Sequence, residues 1–356
     1  MEKKTIAVIF GGRSTEYGVS LQSAFSVLEN LNTEKYDIIM IGITREGDWY
    51  RYRGRLENIR DNVWCEDIAC LTPVAVSVSR SDRGLLELST EKGDSAGIGA
   101  LVKVDLVFPV LHGKNGEDGT LQGLFELAGI PVVGCNTLSS ALCMDKGRAH
   151  ALVRTAGVSV PKAVTFRPYE REAALREISR RLSYPLFVKP VRAGSSFGIT
   201  RVLREADLNA AIETAFEHDG EVTVEEAVKG FEVGCAVLGN EALTVGRVDE
   251  IELSEGFFDY TEKYTLKTSR IHMPARIDAQ TERRIQETAM TIYRTLGCSG
   301  FARVDMFLTP DGEIVFNEVN TIPGCTSHSR YPNMMKGIGL SFPDMLDRLI
   351  ELADKA

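Results

Sequence analysis

Hydrophobic positions follow two rhythms along this chain. Thr5 to Phe10 (TIAVIF) is a continuous apolar run, as expected of a parallel strand covered on both faces. Gly11-Gly12 ends it, and Val19 to Leu31 then carries helical spacing. Strand, glycine turn and helix together open an α/β unit. The pattern predicts further strands at Tyr36 to Ile43 and Leu106 to Leu111. Between these strands, Thr44 to Ala100 is polar and rich in charge reversals, and predicts a small sheet excursion, including Pro73 to Val78, with loops.

From Met144 the rhythm changes. Helices are expected at Lys146 to Ala156, Tyr169 to Leu182 and Glu205 to Glu217. Short strands are expected at Val164 to Phe166, Leu186 to Pro190, Ile199 to Leu203 and Glu221 to Glu226. This reads as a small α+β unit, with Lys189 on a strand and the Gly-Ser loop RAGSSFG directly after it. Backbone N–H groups of such a loop suit phosphate oxygens, and a strand lysine supplies a fixed charge; a plain hairpin turn is the other reading. Strands at Phe231 to Leu238 and Leu243 to Leu253 lead to Ser254 to Lys267, which is too aromatic for disorder and too polar for core. That suits a lid over a ligand. Helices at Ala279 to Leu296 and Phe342 to Ala353 flank the stretch that carries the most chemistry.

That stretch runs from Phe301 to Pro332. Two apolar-rich runs flank Thr309-Pro310-Asp311-Gly312, a β-hairpin signal. With Asp311-Gly312 as a two-residue loop, Pro310 faces Glu313, Asp305 faces Glu318 and Arg303 faces Asn320. Side chains alternate along a strand, so these last four polar groups share one face. The other face holds Val304, Met306, Leu308, Val315 and Val319, interrupted by Asn317. An acid opposite an acid is unfavourable unless something positive lies between them. Asp, Glu and Asn oxygens are the hard ligands that magnesium prefers, and magnesium beside phosphate points to a nucleotide.

Composition narrows the class. With 356 residues the chain has room for two or three domains. A net charge of −9 without a basic block argues against a nucleic-acid partner. No apolar stretch approaches the roughly 20 residues of a membrane span, and the N-terminus lacks the features of a signal peptide. Seven scattered cysteines suit reduced thiols in the cytoplasm.

Two strand ends carry candidate chemistry. Glu16 stands at a helix start, where it caps the helix or faces a ligand ammonium. His112 opens the glycine-rich loop HGKNGEDG beyond a strand's carboxyl end, the usual ligand position in an open α/β sheet. A structural histidine is the alternative there.

Taken in order, GGRSTEYGVSLQSA, VLHGKNGEDGTLQG, ALCMDK, FVKPVRAGSSFG, FDYTEKY and FNEVNTIPGCTSHS resemble the D-alanine–D-alanine ligase family of the ATP-grasp superfamily, across essentially the whole chain. The resemblance implies an α/β N-terminal domain (residues 1–145) for the first amino acid. It also implies an α+β ATP-grasp fold made of a central part (146–227) and a C-terminal part (228–356) with the lid and metal site. By motif, Lys146, Lys189, Ser195 and Ser196 resemble phosphate contacts, Glu225 with the backbone of Ala227 and Val228 the adenine hinge, and Glu232 the ribose contact. Glu226 stands where the family commonly has lysine. Asp305, Glu318 and Asn320 resemble ligands of two Mg2+, with Mn2+ as an alternative. Arg303 and the Gly324 N–H resemble an oxyanion pair; Glu16 and His112 resemble partners of the first D-alanine; Glu16, Ser195 and Tyr264 resemble a set that locks the lid.

The family divides by its second substrate. EKY ends in Tyr264, which disfavours D-lactate, whereas Phe258 and Arg330 resemble the D-alanine–D-serine ligases of vancomycin resistance. A guanidinium at Arg330 offers donors to a serine hydroxyl; pairing with a surface acid is the alternative. Lys263 and Ser329 complete the expected substrate contacts, and Cys325 replaces a usually larger apolar residue. The expected activity is therefore ATP-dependent joining of D-alanine to D-serine by a cytoplasmic homodimer. D-alanine–D-alanine ligation is the near alternative, and a catalytically silent ATP-binding module the distant one.

Overall fold

The computed structural model describes residues 3–88, 97–194, 197–253 and 269–355. Its first sheet grows from β1 (Lys4–Gly11), buried from Ile6 onward. β2 (Tyr36–Ile43) and β7 (Leu106–Val110) pair with β1 in parallel on either side, which explains the unbroken apolar run. α1 (Tyr17–Asn30) lays Tyr17, Leu21, Ala24 and Val27 on one face of this sheet. The segment between β2 and β7 continues the same sheet. β3 (Trp49–Tyr52), β4 (Leu71–Val76), β5 (Gly84–Leu88) and β6 (Ile98–Lys103) add antiparallel strands in the order β6-β5-β4-β3-β2-β1-β7. The excursion is thus larger than expected. Its short α2 (Leu56–Arg60) leads to Trp64, fully buried edge-on to Phe10 and donating from Nε1 to Tyr17 Oη at 2.9 Å.

α3 (Thr120–Ala128) covers the other face through Leu121, Phe125 and Ala128. α4 (Thr137–Met144) and α5 (Lys146–Thr155) follow, capped by the side chains of Asn136 and Asp145. A second sheet takes β8 (Ala163–Phe166), β9 (Leu186–Pro190), β10 (Thr200–Val202) and β11 (Val222–Glu226) in the antiparallel order β10-β9-β11-β8. α6 (Arg171–Arg181) and α7 (Leu208–Phe216) bury Ile178 and Ile212 against its Val188 and Val224.

The third sheet has the order β14-β13-β12-β15-β16, from β12 (Phe231–Leu238), β13 (Thr244–Leu253), β14 (Ser269–His272), β15 (Phe301–Leu308) and β16 (Ile314–Asn320). α8 (Ala279–Thr295) packs Ile285, Ala289 and Ile292 on one face. The opposite face meets α9 (Arg330–Lys336), and α10 (Phe342–Ala353) closes the chain beside α1. No helix among the described residues is long and apolar enough to cross a membrane.

The β15–β16 hairpin departs from its expected register in two places that cancel. Its loop has three residues, because Thr309 N–H donates to Glu313 O and Gly312 N–H to Thr309 O. Gly312 takes φ +82°, the left-handed residue that a turn-plus-bulge loop requires. Leu308 therefore pairs with Ile314 and Met306 with Phe316, one residue off the expected pairing. A bulge then restores it: Asp305 pairs with Glu318 and Arg303 with Asn320, leaving Asn317 without a cross-strand partner. Val315 consequently leaves the core face, where Ile314 and Phe316 stand instead.

Candidate active site

The chemistry gathers where the first and third sheets meet. β1 and β7 are neighbours, so the loops leaving them bring Glu16 and His112 together with Glu117. Lys146, Arg303, Glu318, Asn320 and Gly324 line the same cavity, of about 580 Å³. A larger open cavity of about 860 Å³ lies at the hinge, against Ala227, Val228 and Val315, apart from this charged cluster.

Glu16 is buried at the N-cap of α1 but its side chain makes no capping bond. It faces instead the loop that follows β9: a Cβ on Gly194 would lie 2.7 Å from Glu16 Oε2. His112 is buried, and burial pushes its pKa down, so the imidazole is neutral. Nδ1 lies 2.9 Å from Ile322 O and therefore carries the proton; Nε2, 3.1 Å from Ser23 Oγ, accepts. Ser23 Oγ also accepts the Cys325 N–H at 3.3 Å. His112 thus binds the Ile322–Cys325 loop to α1 with both ring nitrogens.

Glu117 was not singled out from the sequence. Its two oxygens accept the N–H groups of Gly113 at 2.8 Å and Ile322 at 3.0 Å, clasping the two loops together. Burial first, and the neighbouring Glu16 second, push its pKa up to about 7. The GEDG run held the only sequence signal, and acids are too common in glycine loops for it to stand out.

On the hairpin face Arg303 donates Nε and Nη2 to the two oxygens of Asp305, at 2.8 and 2.7 Å. Its Nη1 has no hydrogen bond among the described residues. Asn320 Nδ2 donates to Asp305 at 2.8 Å, and Glu318 lies 3.3 Å from the Lys146 ammonium. Lys146 also donates to Ala193 O at 3.0 Å. Two carboxylates, an amide and a lysine therefore share one patch. The Gly324 N–H makes no hydrogen bond among the described residues.

Arg330 lines the same cavity. It is buried, not paired with a surface acid, and all three terminal groups of its guanidinium meet carboxylates. Nε and Nη2 grip Asp249 at 2.7 and 2.8 Å, while Nη1 lies 3.1 Å from Glu232 and 3.4 Å from Asp305. Gly234 makes room, since a Cβ there would come 2.3 Å from Arg330 Nη2. Asp249, 0% exposed, escaped the sequence reading because its partner is 81 residues away.

Lys189 donates to Glu225 Oε1, and Glu225 Oε2 is buried without a partner among the described residues. Ala227 N–H is taken by Pro185 O at 3.0 Å, so only its carbonyl remains for a ligand. Glu226 accepts from Ser183 N–H at 2.7 Å and lies 3.5 Å from Lys162. Ser329 Oγ is held by the Thr326 N–H at 3.0 Å. Ser195, Ser196, Phe258, Lys263 and Tyr264 lie outside the described residues.

Residues 5–135 match the family described as D-ala D-ala ligase N-terminus, and residues 152–351 its C-terminus. The vancomycin B-type resistance protein VanB of Enterococcus faecalis is 47% identical over 358 residues, covering 99% of each chain. The solved VanG D-Ala:D-Ser ligase from Enterococcus faecalis is 70% identical with a TM-score of 0.92, covering 99% of this chain and 100% of that one. The D-alanine-D-alanine ligase from Coxiella burnetii is 33% identical with a TM-score of 0.85, covering 100% of this chain and 95% of that one.

Proposed function

The chain belongs to the D-alanine–D-alanine ligase family, and on that premise we propose that it joins D-alanine to D-serine at the expense of ATP. The carrying observation is the hairpin face: Glu318 and Asn320 line one cavity with Arg303 and Lys146, and the buried Asp305 stands behind them, bonded to Arg303 and Asn320. The 70% identity to a VanG D-Ala:D-Ser ligase supports serine as the second substrate. The products would be dipeptides for peptidoglycan precursors with altered ends, as in vancomycin resistance. We assign residues 1–145 to the first amino acid, 146–227 to the central part of an ATP-grasp fold, and 228–356 to its C-terminal part. The same reading makes the protein a cytoplasmic homodimer.

The residues present fit both ATP and magnesium. Glu225 Oε2, buried and unpartnered, is a ready acceptor for an exocyclic amine of adenine. The Val228 N–H, without a hydrogen bond among the described residues, is the hinge donor. Lys146 and Lys189 would hold phosphate oxygens. Asp305, Glu318 and the Asn320 amide oxygen form a hard-oxygen donor set once the amide turns from Asp305. Mg2+ held there would neutralise charge on the phosphates.

The first D-alanine is held by Glu16 at its ammonium. Its carboxylate takes the γ-phosphoryl group, giving an acyl phosphate and releasing ADP. The amine of the second amino acid, having given up a proton, then attacks that carbonyl, and the tetrahedral oxyanion that develops collapses to the peptide bond and expels inorganic phosphate. Arg303, fixed by Asp305 on two sides, turns Nη1 to that oxygen, with the Gly324 N–H as its second donor. His112 and Glu117 hold the loop that presents Gly324.

One observation favours D-alanine as second substrate: the Arg330 guanidinium already donates to Asp249 and Glu232, with Asp305 3.4 Å away. The two readings part in a single assay. Protein is incubated with ATP, Mg2+ and D-alanine, with and without D-serine, and dipeptides are identified by mass spectrometry. D-Ala–D-Ser should dominate in the mixture. D-Ala–D-Ala as sole product would leave the serine reading untenable, and no dipeptide at all would reject both.

A further inference from the structure

The bulge at Asn317 decides where the metal-binding carboxylate points. Ile314 and Phe316 face the α8 core. Without an extra residue, strict alternation would send Glu318 and Asn320 to that same core. The unpaired Asn317 reverses the alternation, and both side chains join Asp305 on the cavity face. The bulge therefore has to be held, and its carbonyl has lost its place in the ladder. α5 supplies a partner: His150, one turn beyond Lys146, lies with Nε2 2.7 Å from Asn317 O. The ring is buried and packs edge-on against Phe316, with centroids 5.3 Å apart at 71°. Burial lowers its pKa, so the neutral imidazole carries its single proton on Nε2, toward the carbonyl.

We propose that His150 is a positioning residue for the metal site: its Nε2–H bond to Asn317 O holds the bulge that turns Glu318 and Asn320 toward the cavity. One helix then supplies both a phosphate lysine and the clamp for the opposing carboxylate. Lys146 touches Glu318 directly, and His150 fixes the backbone one residue before it. The inference rests on the metal reading proposed above.

Two variants of the full chain separate the bond from the ring. His150→Phe keeps the aromatic packing on Phe316 and removes the donor. His150→Gln places an amide N–H near the Nε2 position and gives up the ring. Mn2+ binding is titrated by electron paramagnetic resonance in the presence of a non-hydrolysable ATP analogue, whose own affinity is measured separately. We expect His150→Phe to weaken Mn2+ about tenfold, as loss of an outer partner of a metal ligand does, with nucleotide affinity nearly unchanged. His150→Gln should recover most of that loss. Unchanged Mn2+ affinity in His150→Phe, with Glu318→Gln impaired, overturns the inference alone. So does an equal loss in both variants, which would assign the histidine to packing. If wild type and Glu318→Gln both hold Mn2+ no better than the nucleotide does, the metal reading falls and takes the inference with it.

Discussion

Two arginines stand on the same acidic patch and are built in opposite ways. Arg303, with 14% of its side chain exposed, gives two donors to one carboxylate and keeps Nη1 toward the cavity. Arg330, 8% exposed, gives its donors to three carboxylates on three strands. A charge that acts on a substrate needs an anchored side and an open side, because fixed geometry makes an oxyanion donor effective. A charge whose donors go chiefly to buried carboxylates supports the fold, and its removal is felt first there.

Removing each arginine in turn should produce two different losses. Arg303→Met should lower kcat about 10²–10³-fold with a much smaller change in KM, read from ADP release under saturating substrates. A loss confined to KM would place Arg303 in ground-state binding only. Arg330→Met should instead unfold earlier in urea, by about 3–5 kcal/mol, because it strands Asp249 in the interior. Adding Asp249→Asn to it should restore part of that loss, and equal stability of single and double variants would refute the pairing. The same variant tests specificity: a shift of product toward D-Ala–D-Ala would give Arg330 a second role through the acids it holds.

A smaller effect measures how far the open side of Arg303 reaches. Glu117 has its pKa raised from 4.5 to about 7, with Arg303 among the groups that hold it down. A carboxyl raised in the folded state binds protons there that the unfolded chain has lost. Its contribution is therefore full below about 4.5 and declines as pH rises through about 7. Melting temperature measured against pH should fall across that window, and Glu117→Gln should flatten the slope. Arg303→Met should extend the decline to higher pH, whereas Arg330→Met should leave it in place.

What the sequence made legible was local. Apolar runs placed β1, β2, β9 and β12 within a residue or two, because most positions in each are buried and little else competes. The pairing of Asp305 with Glu318 also followed from spacing, yet only because a longer loop and a bulge offset each other. Nothing in TPDGE distinguishes a two-residue from a three-residue loop, since Gly312 serves both. The partners of Arg330, His112 and His150 were out of reach for a different reason. They lie 81, 210 and 167 residues away, and only tertiary packing brings them together.

The edge of the third sheet has a mechanical consequence. On its way into the second sheet the chain passes Ser159, which bridges Val315 in parallel and accepts the Phe316 N–H at 2.8 Å. On its way out it enters β12 at Phe231, opposite Leu308. Leu308 and Ile314 are themselves paired, so both crossings are riveted to the same end of one hairpin. The second sheet therefore takes its position from the hairpin at both crossings, and the Lys146 bond to Ala193 O adds a third tie from α5.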